Sequence, residues 1–266
     1  MSTPRTAVSL DRRAAVRGPE AISITVGLAD GAQTTAHVRF FDSHATDATL
    51  VVLREPEPLL AWCERSGVAD AMVGGFFLRA PSCLPLGEVR THGVRRESVP
   101  FTAPWHARCS CVHVEGGNVR VAARHELADQ PRGDLLQAGP LLVRDGRSLI
   151  RDGFDPEGFS AGQAQFDSDI TRGRYPRAAL GVGPGMLLAV ACDGRGEWDA
   201  GVSLGELADL MAQLGARSAL NLDGGGSTSL VSQGRLVNRP REAHGVEMPN
   251  GRPIVTALAF LPRPRD

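Results

Sequence analysis

Residues 219–229 read ALNLDGGGSTS. A run of small and apolar residues leads to one acidic side chain, three glycines and three hydroxyls. Glycine loses more conformational freedom on folding than any other residue, so a triplet inside a packed chain needs a cause. One cause is a tight surface turn. The other is a close approach to the backbone that leaves no room for a Cβ. Asn221 and Asp223 alternate out of an otherwise apolar strand and so face the same side. Consecutive glycines can turn successive N–H groups into one concavity, and such nests bind anions, phosphate above all. Ser227 and Thr228 add hydroxyl donors. The stretch therefore predicts an anion site at Gly224, Gly225 and Gly226, edged by Asn221, Asp223 and Ser227. The simpler alternative is a turn in which Asp223 bonds its own backbone.

Composition narrows the chemistry of such a site. All 29 basic residues are arginine, a usage that the codons of a GC-rich genome would produce. Any cationic site here must then be a guanidinium, which binds phosphate or carboxylate bidentately. Schiff-base chemistry and a phosphate-loop lysine are excluded. The 266 residues are 42% hydrophobic and 22% charged, a globular composition with room for one large domain or two small ones. A net charge of −1 offers no basic field, so no nucleic-acid partner is expected. No apolar run approaches 18 residues, so no membrane-spanning helix is expected. The first 20 residues are polar and Arg-rich, without the apolar core of a signal peptide. The five cysteines (63, 83, 109, 111 and 192) are scattered and odd in number, and read as free thiols. Together these features give the expectation of a cytoplasmic protein.

Along the chain, residues 1–20 read as a flexible arm and 21–266 as the folded domain. Strand-like runs cover 21–29, 34–42 and 49–55, followed by a helix over 56–67 stopped by Gly67. Residues 69–77 read as a buried strand, and 78–107, rich in Pro, Gly and Arg, as one long loop. Hairpins are predicted at 111–123, at 139–150 around Asp145-Gly146, and at 178–195. The stretch 151–175 is polar and Gly-rich. The strongest helix spans 203–215, with Ser203 and Glu206 as a capping box and Gly215 past its end. A short strand over 216–223 runs into the glycines, a hairpin covers 228–238, and 252–262 closes the chain. This pattern predicts an α+β fold of mixed, hairpin-rich sheets with a few flanking helices.

The run from the helix through ALNLDGGGSTS closely resembles the phosphodiester glycosidase family. MVGGFF (72–77) with PLG (85–87), QAGPLLVRDG (137–146), YPRAALGV (175–182), CDGR (192–195) and RPIVTAL (252–258) resemble further family segments in the same order. The likeness covers roughly residues 36–262, and LNLDGGGS with its helix is its most specific part. It implies hydrolysis of a sugar 1-phosphate diester at the anomeric carbon, giving free sugar and a phosphomonoester. A phosphate leaves as a weakly basic anion, so the chemistry asks chiefly for a carboxylate to stabilise or attack the anomeric centre or to activate water. Asp223 is the first candidate, with Asp193 and Glu88 after it. Whether the outcome is retaining or inverting depends on carboxylate separation and stays open. Arg177, Arg195 and Arg252, with Gly74, Gly75 and the glycine triplet, would hold the phosphate.

Each assignment has a structural alternative: Asp193 sits in an Asp-Gly turn, Glu88 and His92 lie in the long loop, and Arg252 stands at a strand start. Two positions depart from the family pattern. Val73 replaces an Asn before Gly-Gly-Phe-Phe, and Ala178 stands where Thr is frequent. Loss of those polar groups would favour a protein that binds a phosphorylated sugar or nucleotide without cleaving it. The expected partner is a small sugar phosphate, met in an intracellular biosynthetic setting. No cofactor is required by any ligand spacing, and a divalent cation beside the carboxylates is left open.

Overall fold

The structure, a computed structural model, describes residues 18–151, 154–160, 171 and 173–264. Strands β1 (Ile22–Gly27) and β2 (Gln33–Asp42) form the first hairpin. β3 (Thr46–Glu57) leads into helix α1 (Leu59–Ser66), and β4 (Asp70–Val73) follows. Two short strands, β5 (Val89–Thr91) and β6 (Val94–Arg95), precede the one-turn helix α2 (Trp105–Arg108). Then come β7 (Ser110–Glu115), β8 (Asn118–Ala123), β9 (Asp134–Gln137), β10 (Leu141–Arg144) and β11 (Arg147–Ser148). β12 (Arg177–Gly183) and β13 (Met186–Cys192) precede helix α3 (Leu204–Gln213). β14 (Ser218–Asn221), β15 (Leu230–Ser232), β16 (Arg235–Leu236) and β17 (Ile254–Pro262) complete the chain.

Three sheets result, ordered β1-β2-β13-β12-β14-β10-β11, β16-β15-β4-β17-β3 and β6-β5-β9-β7-β8. Every pairing between these strands is antiparallel. The class is α+β, with a few helices set against antiparallel sheets.

The seven-stranded sheet is buried on both faces. Alternate residues of a strand point to opposite faces, and here both sets find apolar partners. Leu188, Val190, Ala179 and Ala219 pack against Leu204, Leu207, Ala208, Met211 and Leu214 in and beside α3. Leu187, Ala189, Leu180, Leu220 and Leu222 pack against Met72 and Leu258 of the second sheet and Val112 and Leu136 of the third. That double burial explains why β12, β13 and β14 read as unbroken apolar runs. Helix α3 starts as its sequence dictates. Ser203 Oγ accepts the Glu206 N–H at 3.2 Å, and Glu206 Oε2 accepts the Ser203 N–H at 2.8 Å. Gly215, at φ 100°, leaves the helix in the left-handed region.

Three expectations change. The strand predicted over 69–77 stops at Val73; Gly74 follows, so close to Thr256 that a Cβ there would clash with its Oγ1. The loop predicted over 78–107 contains β5, β6 and α2. β5 is held on both sides, by β9 from far along the chain at Val89↔Leu136 and by β6 at Thr91↔Val94. The arm predicted over 1–20 falls largely outside the described residues.

Candidate active site

Strand β14 lies between β12 and β10 at the centre of the large sheet. Its continuation is pinned from two sides: the Leu222 N–H donates to Ala178 O at 2.9 Å, and the Asp223 N–H to Gly74 O at 3.0 Å. Gly74 is itself held by its N–H to Thr256 O at 2.9 Å, and the Gly75 N–H donates to Thr256 Oγ1 at 3.0 Å. Asp223 thus stands where the first sheet abuts the second. The glycine pair lets β17 come close enough to fix it there.

The glycine triplet has a different cause from the one the sequence suggests. The Gly224 N–H donates to Asp223 Oδ1 at 3.0 Å, and the Gly225 N–H to Pro176 O at 2.8 Å. The Ser227 and Thr228 N–H groups close a 3₁₀ turn onto Gly224 O and Gly225 O. Two of the three glycine donors are therefore engaged within the protein, and an open anion nest does not form. What excludes side chains is contact. A Cβ on Gly224 would sit 3.0 Å from Pro176 O, Gly225 has φ 60°, and a Cβ on Gly226 would lie 2.6 Å from Glu242 Oε1. The turn is a bare floor on which other side chains rest.

Above that floor is a cavity of about 380 Å³. Asp223, Glu242, Arg79, Arg177, Arg195 and Arg252 line it, with Tyr175, Phe76 and Phe77 as aromatic walls. Arg177 is buried and donates from Nε to Val202 O at 2.8 Å; burial pushes its guanidinium down to about 10. Arg195 adopts φ 58° and donates to Arg241 O at 3.1 Å. Both cations lie over the Tyr175 ring, at 5.5 and 5.6 Å from its centroid, and this cation–π contact keeps them together despite their like charge. Arg252 is paired with Glu242, its Nε donating to Oε1 at 2.6 Å. Four arginines against two carboxyls give the cavity an excess of positive charge.

The two carboxyls are tuned apart. Burial pushes Asp223 up to about 6 and Glu242 adds to the rise, while the Ser227 hydroxyl, the Gly224 N–H and Arg252 oppose it. Burial raises Glu242 too, but Arg252 and Arg195 outweigh it and hold that carboxyl below the ordinary range. Asn221 also lines the cavity at 2% exposure. Its Nδ2 donates to Gly139 O at 2.8 Å and Leu222 O at 3.0 Å. Its Oδ1 has no hydrogen-bond partner among the described residues.

Asp223, Asn221, Arg177, Arg195, Arg252 and the glycine triplet are therefore gathered in one place. Ser227 is buried beside Asp223, and Gly74 and Gly75 act behind it. The other two carboxylates are not brought here. Glu88 accepts from Arg90 Nε at 2.6 Å and Arg124 Nε at 2.7 Å, a network that ties the third sheet to its edge. Asp193 accepts from the Arg239 N–H at 2.7 Å and bonds His37 Nε2 at 2.9 Å, at 2% exposure. Neither lines the cavity. Val73 and Ala178 are fully buried in the core between the sheets, and neither side chain lines the cavity. Among the described residues no three His, Cys, Asp or Glu side chains cluster as cation ligands. Glu242 and Tyr175 were not singled out from sequence. Tyr175 belongs to the YPR segment; Glu242 carries no motif signal beyond standing ten residues before Arg252.

Replacing Glu88 by Ala is expected to cost about 2 kcal/mol at pH 7, because two guanidiniums lose a charged acceptor. Burial raises this carboxyl, yet Arg124 and Arg90 bring it below its ordinary value. Its contribution is thus present above about pH 4.5 and disappears on further acidification. Thermal melts of wild type and Glu88→Ala from pH 7 to pH 3 should converge at the acid end.

The phosphodiester glycosidase family model matches residues 66–261. The fold is similar to the catalytic domain of zebrafish N-acetylglucosamine-1-phosphodiester alpha-N-acetylglucosaminidase, solved auto-inhibited by its pro-peptide (TM-score 0.67, 18% identity, covering 91% of this chain and 82% of that one). It is also similar to a putative exported protein from Burkholderia pseudomallei (TM-score 0.65, 17% identity, 90% and 76% covered). A hypothetical protein from Synechocystis is a third likeness (TM-score 0.61, 19% identity, 91% and 62% covered). No curated protein matches the chain. With the motif-bearing turn at the floor of its charged cavity, and the family model spanning most of its length, the chain belongs to the phosphodiester glycosidase family.

Proposed function

We propose that this protein hydrolyses the glycosidic C1–O bond of a sugar 1-phosphate diester, releasing free sugar and a phosphomonoester. The observation that carries this reading is the cavity that Asp223 shares with four arginines. A phosphodiester bears one negative charge, which the excess of arginines over carboxyls there would accept. Arg177, Arg195 and Arg252 are rigid forks suited to its non-bridging oxygens. Asn221 Oδ1 is an unused acceptor for a sugar hydroxyl. Asp223 then takes the proton of the water that attacks C1, as the pair of electrons in the C1–O bond passes to the phosphate. The binding-only alternative rested on Val73 and Ala178, and both lie away from the cavity.

The test is sugar release from a panel of sugar 1-phosphodiesters, N-acetylglucosamine and nucleotide-linked sugars included, beside the corresponding methyl glycosides. Release is expected from phosphodiesters alone. Equal release from a methyl glycoside, or none from any phosphodiester, would refute the reading. Asp223 must be ionised to act as a base, and its carboxyl titrates at about 6. The acid limb of kcat should therefore rise about tenfold per pH unit and bend near pH 6.

A further inference from the structure

Glu242 is the carboxylate that the family motif does not mark and the cavity nevertheless contains. It is half-buried, and its surroundings are charged on every side. Arg252 reaches it from the approach to β17, Arg195 from the segment after β13, and Asp223 from the end of β14. On its own loop, Arg241 turns away toward Asp199 and Glu247. Arg252 gives it both Nε and Nη2. The same guanidinium belongs to the set that a phosphate would occupy, so carboxylate and phosphate compete for one cation.

We propose that Glu242 is a second catalytic carboxyl, released by substrate: the incoming phosphate takes Arg252 and Arg195 from it, and the freed group takes up a proton that it then gives to the departing phosphate oxygen. This inference rests on the hydrolase reading above. The balance is complete. Water oxygen bonds C1 and keeps one proton as the new sugar hydroxyl; Asp223 accepts the other. The C1–O electrons go to the phosphate oxygen, which accepts the proton of Glu242. Asp223 then returns its proton to solvent, and Glu242 takes one up with the next substrate. The physical cause is local. The two guanidiniums that hold Glu242 ionised in the empty cavity are neutralised by an anion placed beside it, and an anion next to a carboxylate favours its neutral form.

The experiment uses dimethyl phosphate, a monoanion with no anomeric carbon and no titration near neutrality. Its binding heat is measured at pH 6 in buffers of different ionisation enthalpy, which reads the protons taken up. Wild type is expected to take up protons on binding, and Glu242→Gln measurably fewer, with Asp223→Asn retaining the share that belongs to Glu242. On a phosphodiester that wild type cleaves, Glu242→Gln is expected to lose about a hundredfold in kcat and to lose the alkaline limb of its pH profile. Binding by wild type without proton uptake, or no binding, overturns the proposal without any variant. So does a Glu242→Gln enzyme that keeps the wild-type alkaline limb. Wild type that takes up protons but releases no sugar from the panel sinks the hydrolase reading instead, so the two failures are separable.

Discussion

Asp223→Asn is expected to lose at least about a thousandfold in sugar release and, above pH 6, to be more stable than wild type. The first effect follows from its proposed role: the amide cannot take the proton of attacking water, and general-base groups supply roughly 10²–10⁴ in rate. The second follows from linkage. The folded carboxyl titrates at about 6 against 3.8 for the free group. Below about pH 4 it is neutral in both folded and unfolded chains and costs nothing. As pH rises from 4 through 6, the unfolded chain ionises freely while the folded one must ionise against burial, so stability is lost. Two units correspond to ~3 kcal/mol, and water at the cavity mouth reduces that to about 1–3. Asn keeps an oxygen for the Gly224 N–H and has no proton to lose. Thermal melts at pH 4 should therefore coincide. At pH 8 the variant should melt about 3–8 °C above wild type. A variant that is inactive and less stable at pH 8 would instead show that Asp223 holds its turn together.

Glu157→Ala is expected to be the most destabilising of these substitutions, and Glu157→Gln no milder. Glu157 is 6% exposed and spends both carboxylate oxygens on backbone. Oε1 accepts the Ser110 N–H of β7 at 2.6 Å, and Oε2 accepts the Leu141 N–H of β10 at 2.5 Å. It therefore bridges the third sheet to the first. Alanine leaves two buried donors unpaired, at about 1–3 kcal/mol each. Glutamine has one oxygen and one NH₂, so one backbone N–H would face another donor. Either change should lower the midpoint in urea by an amount equivalent to about 2–6 kcal/mol with m unchanged. If glutamine restored the wild-type midpoint, only one of the two bridges would matter.

The elements legible in the chain are those made by neighbours. The Ser203–Glu206 box begins α3 because its partners lie within one helical turn. The hairpin turns at Gly116-Gly117 and Asp145-Gly146 follow from residues that tolerate positive φ. The LNLDGGGS stretch and its arginines were legible too, since sequence order alone carries that pattern and its residues do meet around one cavity.

What the chain could not show is decided by residues far apart. Glu88 and Asp193 looked like Asp223 in one dimension: acidic groups beside glycines. Folding gives Glu88 two guanidinium partners and Asp193 a histidine and a backbone N–H, which commits both to structure. Glu242 had no motif at all, and gains its place because the segment before β17 folds back over the bare floor at Gly226. Glu157, in a stretch read only as polar, bridges two sheets. The local signals set turns, caps and strand faces through contacts within a few residues. The charge state and partners of a carboxyl depend on burial and on distant cations, and only the packed sheets bring those together.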